Sequence, residues 1–471
     1  MRTLWRWLIP AACAVSLSAA ELGGGPALID AARHGDTGTL HALLQKKADV
    51  NVTAPDGTTA LHWASYQDDV ETADLLLRAG AKVNAANDLG ATPLWLASQN
   101  GSAKMVKRLL EAGANPNEAL LSGETALMVA ARGGYPAVVE QLLAKGAEIN
   151  RHGTRGQTAL MWAASQKHPD VVKVLLAHHA DLSLKSDVWS EVMAVPPHGY
   201  LGYNKAIPHG GETALLFAAR VGDLESAKLL VAAGANVNDA DAWGVTATIL
   251  AAHSGFNGLV SFLLDKGADP NLASAGFTAL QEAIMRRDAP MVADLLNHGA
   301  DPNTPLKTWT PTRRSSEDWH FEPSLVGATP FWLAARFTEP DVMQLLLKKG
   351  ADPKFVHHAD YVAERGFGQE RTRQTVTTLM AATGMIRVAP WSEIPKTERE
   401  PLMLETMKML VDLGVDVNAA DNDGVTALDV AKTLRYPSVV NYLVEKGAKA
   451  GTGAPQGRGG RRNFGGDVPN R

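Results

Sequence analysis

Thiols are almost absent from this chain: its 471 residues contain one cysteine, Cys13. That residue falls inside "MRTLWRWLIPAACAVSLSAA", where Arg2 and Arg6 precede an apolar core, Leu8 to Leu17, and a small-residue site, Ser18 to Ala20. The pattern reads as a secretory signal peptide over residues 1–20, too short for a membrane span. A lipid anchor on Cys13 is the rival reading, but Pro10 stands where such a motif takes leucine. With the signal removed no thiol remains, which excludes disulfides and thiolate metal sites. Long apolar runs are missing too: nothing beyond the leader approaches the ~18 residues of a membrane helix. The product is therefore expected to be exported, periplasmic or secreted, and free of membrane spans.

Neither sign of charge dominates. Lysine and arginine number 45 against 50 acidic residues, for a formal net charge of −5. That balance offers no general attraction for polyanions, so no nucleic acid partner is expected. Residues 450–471, "AGTGAPQGRGGRRNFGGDVPNR", are Gly- and Arg-rich in the manner of RNA-binding segments. Their four arginines make a weak field, and a disordered solubilising tail is the reading adopted.

Catalytic signatures are lacking. No nucleophile elbow, phosphate loop, dinucleotide fingerprint or HExxH zinc motif occurs. Glu317 and Asp318 are adjacent and hence divergent, unsuited to paired acid–base work. "HHAD" appears at 178–181 and 357–360. The first is read as a helix cap, because histidine tolerates left-handed backbone. The second, His357 and His358 with Asp360 and Glu364, holds a metal only if a loop gathers those side chains. The expectation is a non-enzyme with no metal and no cofactor.

What the chain does have is repetition. "GTTALHWAS" (57–65), "GATPLWLAS" (90–98), "GETALMVAA" (123–131) and "GQTALMWAA" (156–164) begin at glycines 33 residues apart. The series resumes at 211, 244, 276, 327 and 424, and most units end in a second motif such as "LLRAGAKVN" (76–84). Thr59, Thr92, Thr125, Thr158, Thr213, Thr246, Thr329 and Thr426 precede short apolar-periodic runs, where a hydroxyl can cap a helix. Gly80, Gly113, Gly146, Gly234, Gly267, Gly350 and Gly447 close the second helix in the left-handed conformation. One such unit cannot bury its apolar face alone, so neighbours must stack.

These residues resemble the ankyrin repeat, whose T-P-L-H-x-A-A signature and G-A-D-V-N ending they follow. The resemblance implies an all-α repeat solenoid of helix–turn–helix units with projecting hairpin loops, filling residues 21–449. Eleven units are counted, beginning near residues 25, 55, 88, 121, 154, 209, 242, 275, 325, 374 and 421. Four insertions break the spacing, at 187–208, 307–324, 356–373 and 385–401. The first three lengthen hairpin fingers along one edge; the fourth separates two helices, where Pro390, Pro395 and Pro401 predict a shaped loop instead of added helix.

The resemblance also implies a function: binding of another protein by a monomeric, exported scaffold of bacterial type. In that family the residue after the first-helix "AA" faces the concave groove, which places Tyr66, Gln99, Arg132, Arg220, His253 and Arg336 there, with Trp243, Arg286 and Phe337 beside them. The arginines make a cationic strip suited to an acidic or carboxylate-bearing peptide. The fingers carry Trp189, Tyr200, Tyr203, Trp309, Trp319, Phe321 and Tyr361, a composition of binding loops on a rigid scaffold. The same aromatics could instead fold the fingers back to cover apolar edges. Alternative functions are a loop-built metal or hydrolytic site, and a secreted effector acting on a host protein.

Overall fold

The computed structural model describes residues 25–193, 201–310, 321–365, 368–386 and 394–453. The leader, 1–20, and tail residues 454–471 lie outside them. The chain divides into two compact units, Met1–Thr154 with Ala177–Ala180, and Arg155–Leu176 with Asp181–Arg471. Each is a stack of short helices taken in consecutive pairs, the first helix of a pair packing on the second. Twenty-two α-helices occur among the described residues.

One pair shows why the sequence folds this way. Thr59 is extended (φ −105°, ψ 170°), and its hydroxyl accepts from the His62 N–H at the start of helix Ala60–Tyr66. Helix Val70–Arg78 follows, its Asp69 side chain accepting from Thr72 N–H. Ala73 and Leu76 on that helix are wholly buried, each such leucine contributing about 1.5–3 kcal/mol. Gly80, at φ 92°, then turns the chain, and Ala81 N–H reaches back to Leu76 C=O at 3.0 Å. At the equivalent point after the fifth pair His179 adopts φ 62°, as a cap histidine should.

The threonine cap recurs at Thr92, Thr125, Thr158, Thr246 and Thr329. Two expected caps differ. Thr213 Oγ1 is buried without a hydrogen-bond partner among the described residues. Thr426 Oγ1 donates to Asp429 Oδ2 at 2.8 Å, which also accepts the Thr426 N–H at 3.0 Å.

The asparagine ending each repeat does more than turn the chain. In the first unit Asn51, Asn84 and Asn117 each donate Nδ2 to the cap-glycine carbonyl of the next repeat: Gly80, Gly113 and Gly146, at 3.0–3.2 Å. Their Oδ1 atoms accept from the N–H of Lys82, Asn115 and Glu148 at 2.7–2.8 Å. The second unit repeats the device at Asn238, Asn271, Asn303 and Asn418. Each side chain satisfies two backbone groups that a helix end leaves open.

Two of the four insertions form hairpins of paired strands on the helical solenoid. The first is a β-hairpin, β1 (Trp189–Met193) paired antiparallel with β2 (Lys205–His209), Trp189 opposite His209 and Met193 opposite Lys205. The third is a longer hairpin, β3 (Val356–Arg365) with β4 (Gly368–Thr377). Strand alternation explains it: His357 and Ala359 are buried while His358 and Asp360 point out. Trp332 donates Nε1 to Val376 C=O at 3.0 Å and seats this hairpin on helix Pro330–Arg336.

The fourth insertion departs from the shaped loop expected of it. Part of it is helix: Lys396–Asp412 runs 17 residues and contains Pro401. The proline forfeits one backbone bond, but Glu400 beside it accepts from Ser438 N–H and Oγ at 2.9 and 2.7 Å. Packing there outweighs the local preference. Pro390 lies outside the described residues.

Candidate partner-binding surface

In the first unit the expected groove residues lie where first helices end. Tyr66 and Gln99 are exposed. Tyr66 meets Trp63 edge-on at 6.1 Å, and the Arg33 guanidinium lies 5.1 Å over the Trp63 ring. Arg132 closes an ion pair with Glu124 at 2.5 Å. Burial pushes the Glu124 carboxyl above its usual range, and Arg132 opposes it.

The second unit repeats that pairing. Arg220 sits on buried Glu212, and His253 Nδ1 lies 3.2 Å from buried Glu282. Both carboxyls are raised, by burial first of all. Arg286 Nη1 donates to His253 C=O at 2.8 Å. Half-buried Trp243 packs edge-on against Phe277 at 5.8 Å. Arg132, Arg220 and His253 of the expected cationic strip thus lie against glutamates of their own array. The charge excess from which an acidic peptide was expected is offset locally, and the sequence reading missed it because Glu124 and Glu212 stand eight residues before their partners.

Two expected groove residues are structural. Phe337 is only 6% exposed, and its carbonyl accepts from Arg287 Nη1 at 2.7 Å. Arg336 Nε donates to Ile386 C=O at 2.6 Å, and burial pushes its guanidinium down to about 10. Both hold the ninth helix pair to its surroundings.

The fingers sort into inward and outward groups. Phe321 is fully buried and packs on Phe277 at 5.5 Å. It is a core residue, because Thr310 and Phe321 bond to one another and close the second insertion's base: Thr310 N–H to Phe321 C=O at 3.0 Å, Phe321 N–H to Thr310 Oγ1 at 2.8 Å. Tyr361 is half-buried, its hydroxyl donating to Gln374 Oε1 at 3.2 Å. Trp309 receives Lys205 Nζ at 5.8 Å over its ring, so the first two fingers touch. Tyr200 and Trp319 lie outside the described residues, as does the side chain of Tyr203.

Three of the four residues weighed for a metal face different partners. His357 Nε2 bonds Ser324 C=O at 2.9 Å beneath Trp332, and burial lowers its pKa. His358 faces the other side, 3.3 Å from Thr375 Oγ1. Asp360 is held by Arg371 at 2.7 Å and Arg373 at 3.3 Å, which bring its carboxyl down to about 2. The side chain of Glu364 lies outside the described residues.

The first finger is different. Trp189 stacks on His209 at 5.6 Å with the Arg155 guanidinium 4.9 Å over its ring, and Ile207 is buried. Yet Val188, Val192 and Leu201 are 61%, 71% and 78% exposed. Apolar side chains this open on one hairpin mark a contact surface more often than isolated ones do.

Comparison with known proteins agrees with the fold. Ankyrin repeat models match residues 28–120, 113–186 and 215–306 as three-copy segments, 160–231 as a many-copy segment and 326–358 as one repeat. The chain is 38% identical over 104 residues to an ankyrin repeat-containing protein of Treponema pallidum (strain Nichols), covering 21% of this chain and 35% of that one. It is 27% identical over 250 residues to a Danio rerio protein named palmitoyltransferase ZDHHC13, covering 49% of this chain and 34% of that one. The alignments thus span about a third of these relatives' own length. The ankyrin repeat domain of human ASB11 aligns over 52% of this chain and 98% of its own, at 29% identity and a TM-score of 0.43. Among the described residues no helix is long and apolar enough to cross a membrane. Its threonine-capped helix pairs, glycine-ended and joined by asparagine, and the matches through more than half its length, make this chain a member of the ankyrin repeat family.

Proposed function

We propose that this chain is an exported, non-enzymatic ankyrin scaffold of bacterial type, with eleven repeats, that binds another protein chiefly through its first finger. Ankyrin repeats in general mediate protein–protein interaction, which supports the class. The carrying observation is the exposure of Val188, Val192 and Leu201 on a hairpin whose other side is anchored by buried Ile207. Tyr66 and Gln99 in the first unit, and Trp243 with the exposed Arg220 in the second, are the groove residues best placed to add contacts. A leader ending at Ala20 puts the partner in the periplasm or outside the cell.

The test is affinity capture with the mature chain, from extracts of the envelope and of the medium, identified by mass spectrometry. The triple variant Val188→Ser, Val192→Ser, Leu201→Ser should retain its melting temperature and lose the captured protein. Retention of the same protein by that variant would remove the first finger from the interface. Amino-terminal sequencing of the exported product should begin at Glu21.

A further inference from the structure

The first finger's backbone points to how a partner attaches. In an antiparallel ladder, facing residues alternate between pairs that exchange two hydrogen bonds and pairs that exchange none. Ser190 faces Pro208. Proline has no N–H, so Ser190–Pro208 must be a non-bonded pair, with Trp189–His209 and Glu191–Ile207 the bonded ones. By the same alternation Val192–Ala206 is non-bonded. The N–H and C=O of Ser190 and Val192 therefore point away from β2, to an edge of β1 that pairs with no other strand among the described residues.

The two edges of the hairpin are unequal. On β2 the outward donor at position 208 is missing, and proline on an edge blocks further pairing. On β1 neither proline nor lysine guards the edge. Four of its five residues are exposed. The face carrying Ser190 and Val192, continued by Val188 and by Ala206 and Pro208 across the hairpin, has no charged side chain among the paired residues. Glu191 and Lys205 lie on the opposite face, with Trp189 and Ile207. A charged occupant would find no counter-ion on the open face, and an apolar one would find Val188 and Val192.

We propose that the free edge of β1 is a strand-addition site, where an extended, proline-free, apolar segment of a partner protein pairs with Ser190 and Val192. Backbone bonds supply affinity in this mode and alternate side chains supply selectivity. The inference rests on the scaffold reading and adds the partner's chemistry.

The probe is a phage-displayed library of linear dodecapeptides, selected on the immobilised mature chain. Enriched peptides should share alternating β-branched or apolar residues without proline. Ser190→Pro and Val192→Pro each remove an outward N–H and no ladder bond, and should weaken the best peptide at least tenfold. Because a proline could distort the hairpin, amide exchange by NMR supplies a second reading on the unaltered chain. Adding the peptide should slow the Ser190 and Val192 amides and leave Glu191, already bonded to Ile207, unchanged. Failure to enrich such peptides, binding that survives both prolines, or equal slowing at Glu191 would overturn the site. So would a dimer in sedimentation that Ser190→Pro dissociates, since a second copy would then own the edge. If the serine triple variant loses the captured protein while Ser190→Pro keeps it, the scaffold reading stands and strand addition falls.

Discussion

Asn303 Nδ2 donates to the carbonyl of Gly350, 47 residues along the chain, at 2.9 Å, and its Oδ1 accepts the Asp352 N–H at 2.9 Å. Asn84 makes the same pair of bonds with Gly113 and Asn115 across only 29 and 31 residues. The insertion at 307–324 therefore leaves this inter-repeat joint intact, and the ladder of asparagines keeps its geometry across it.

Asn303→Ala should lower stability by about 1–2 kcal/mol, two solvent-accessible hydrogen bonds at the low end of the usual range each. Asn84→Ala should cost the same within error despite its shorter loop. Urea unfolding of the two variants checks both statements. A much larger loss at Asn303 would mean that the insertion depends on the joint.

Core and surface aromatics or aliphatics of the fingers should separate cleanly on truncation. Phe321, fully buried against Phe277, should cost about 3–5 kcal/mol as Phe321→Ala, through lost transfer energy and a residual cavity. Val192→Ser, at 71% exposure, should change stability by under about 0.5 kcal/mol. Differential melting of the two variants is enough to decide.

Glu339 predicts a pH dependence. Among the described residues both its carboxylate oxygens are buried without a hydrogen-bond partner, and burial pushes its pKa up to about 8, with Arg287 opposing. A carboxyl raised on folding binds its proton more tightly in the folded chain. Its stability contribution is thus fully present below about 4.5, its unfolded value, and is lost as pH rises through about 8. Unfolding free energy should fall between pH 5 and 9 in the parent, and Glu339→Gln should flatten that slope. Denaturant midpoints across this range give the reading.

His179 occupies a cap that its neighbours fill with glycine, at φ 62° and with its side chain exposed. His179→Gly should raise stability by about 1 kcal/mol, by relieving the left-handed penalty at no packing cost. A lower melting temperature would show that the ring makes a contact worth more than the strain.

Much of this was readable beforehand. A 33-residue beat of threonine, leucine pair, glycine and asparagine dictates capped helix pairs, because each residue type has one local conformation it serves best. Local chemistry at the inserted segments is less binding. "VHHADYVAER" and "GQERTRQTVT" carry an alternation that reads as loop until partners are placed on both sides. Pro401 argues against a helix that tertiary contacts through Glu400 nonetheless hold. Long-range pairing is where sequence patterns run out.

The candidate surface divides the same way. Position in the repeat marked Arg132, Arg220 and His253 as outward-facing, and composition marked the finger aromatics. Burial could not be read from either: Phe321 and Phe337 went to the core, while Val188 and Val192, unremarked in the sequence, stayed in water. Repetition along the chain dictates which units form, since every unit answers to its own residues and its neighbours. Which side chains of an insertion face solvent depends on what happens to lie beneath it. Glu124 and Glu212 under the arginines, Phe277 under Phe321, and Pro208 opposite Ser190 are facts of three-dimensional placement, and they decide where this array can touch something else.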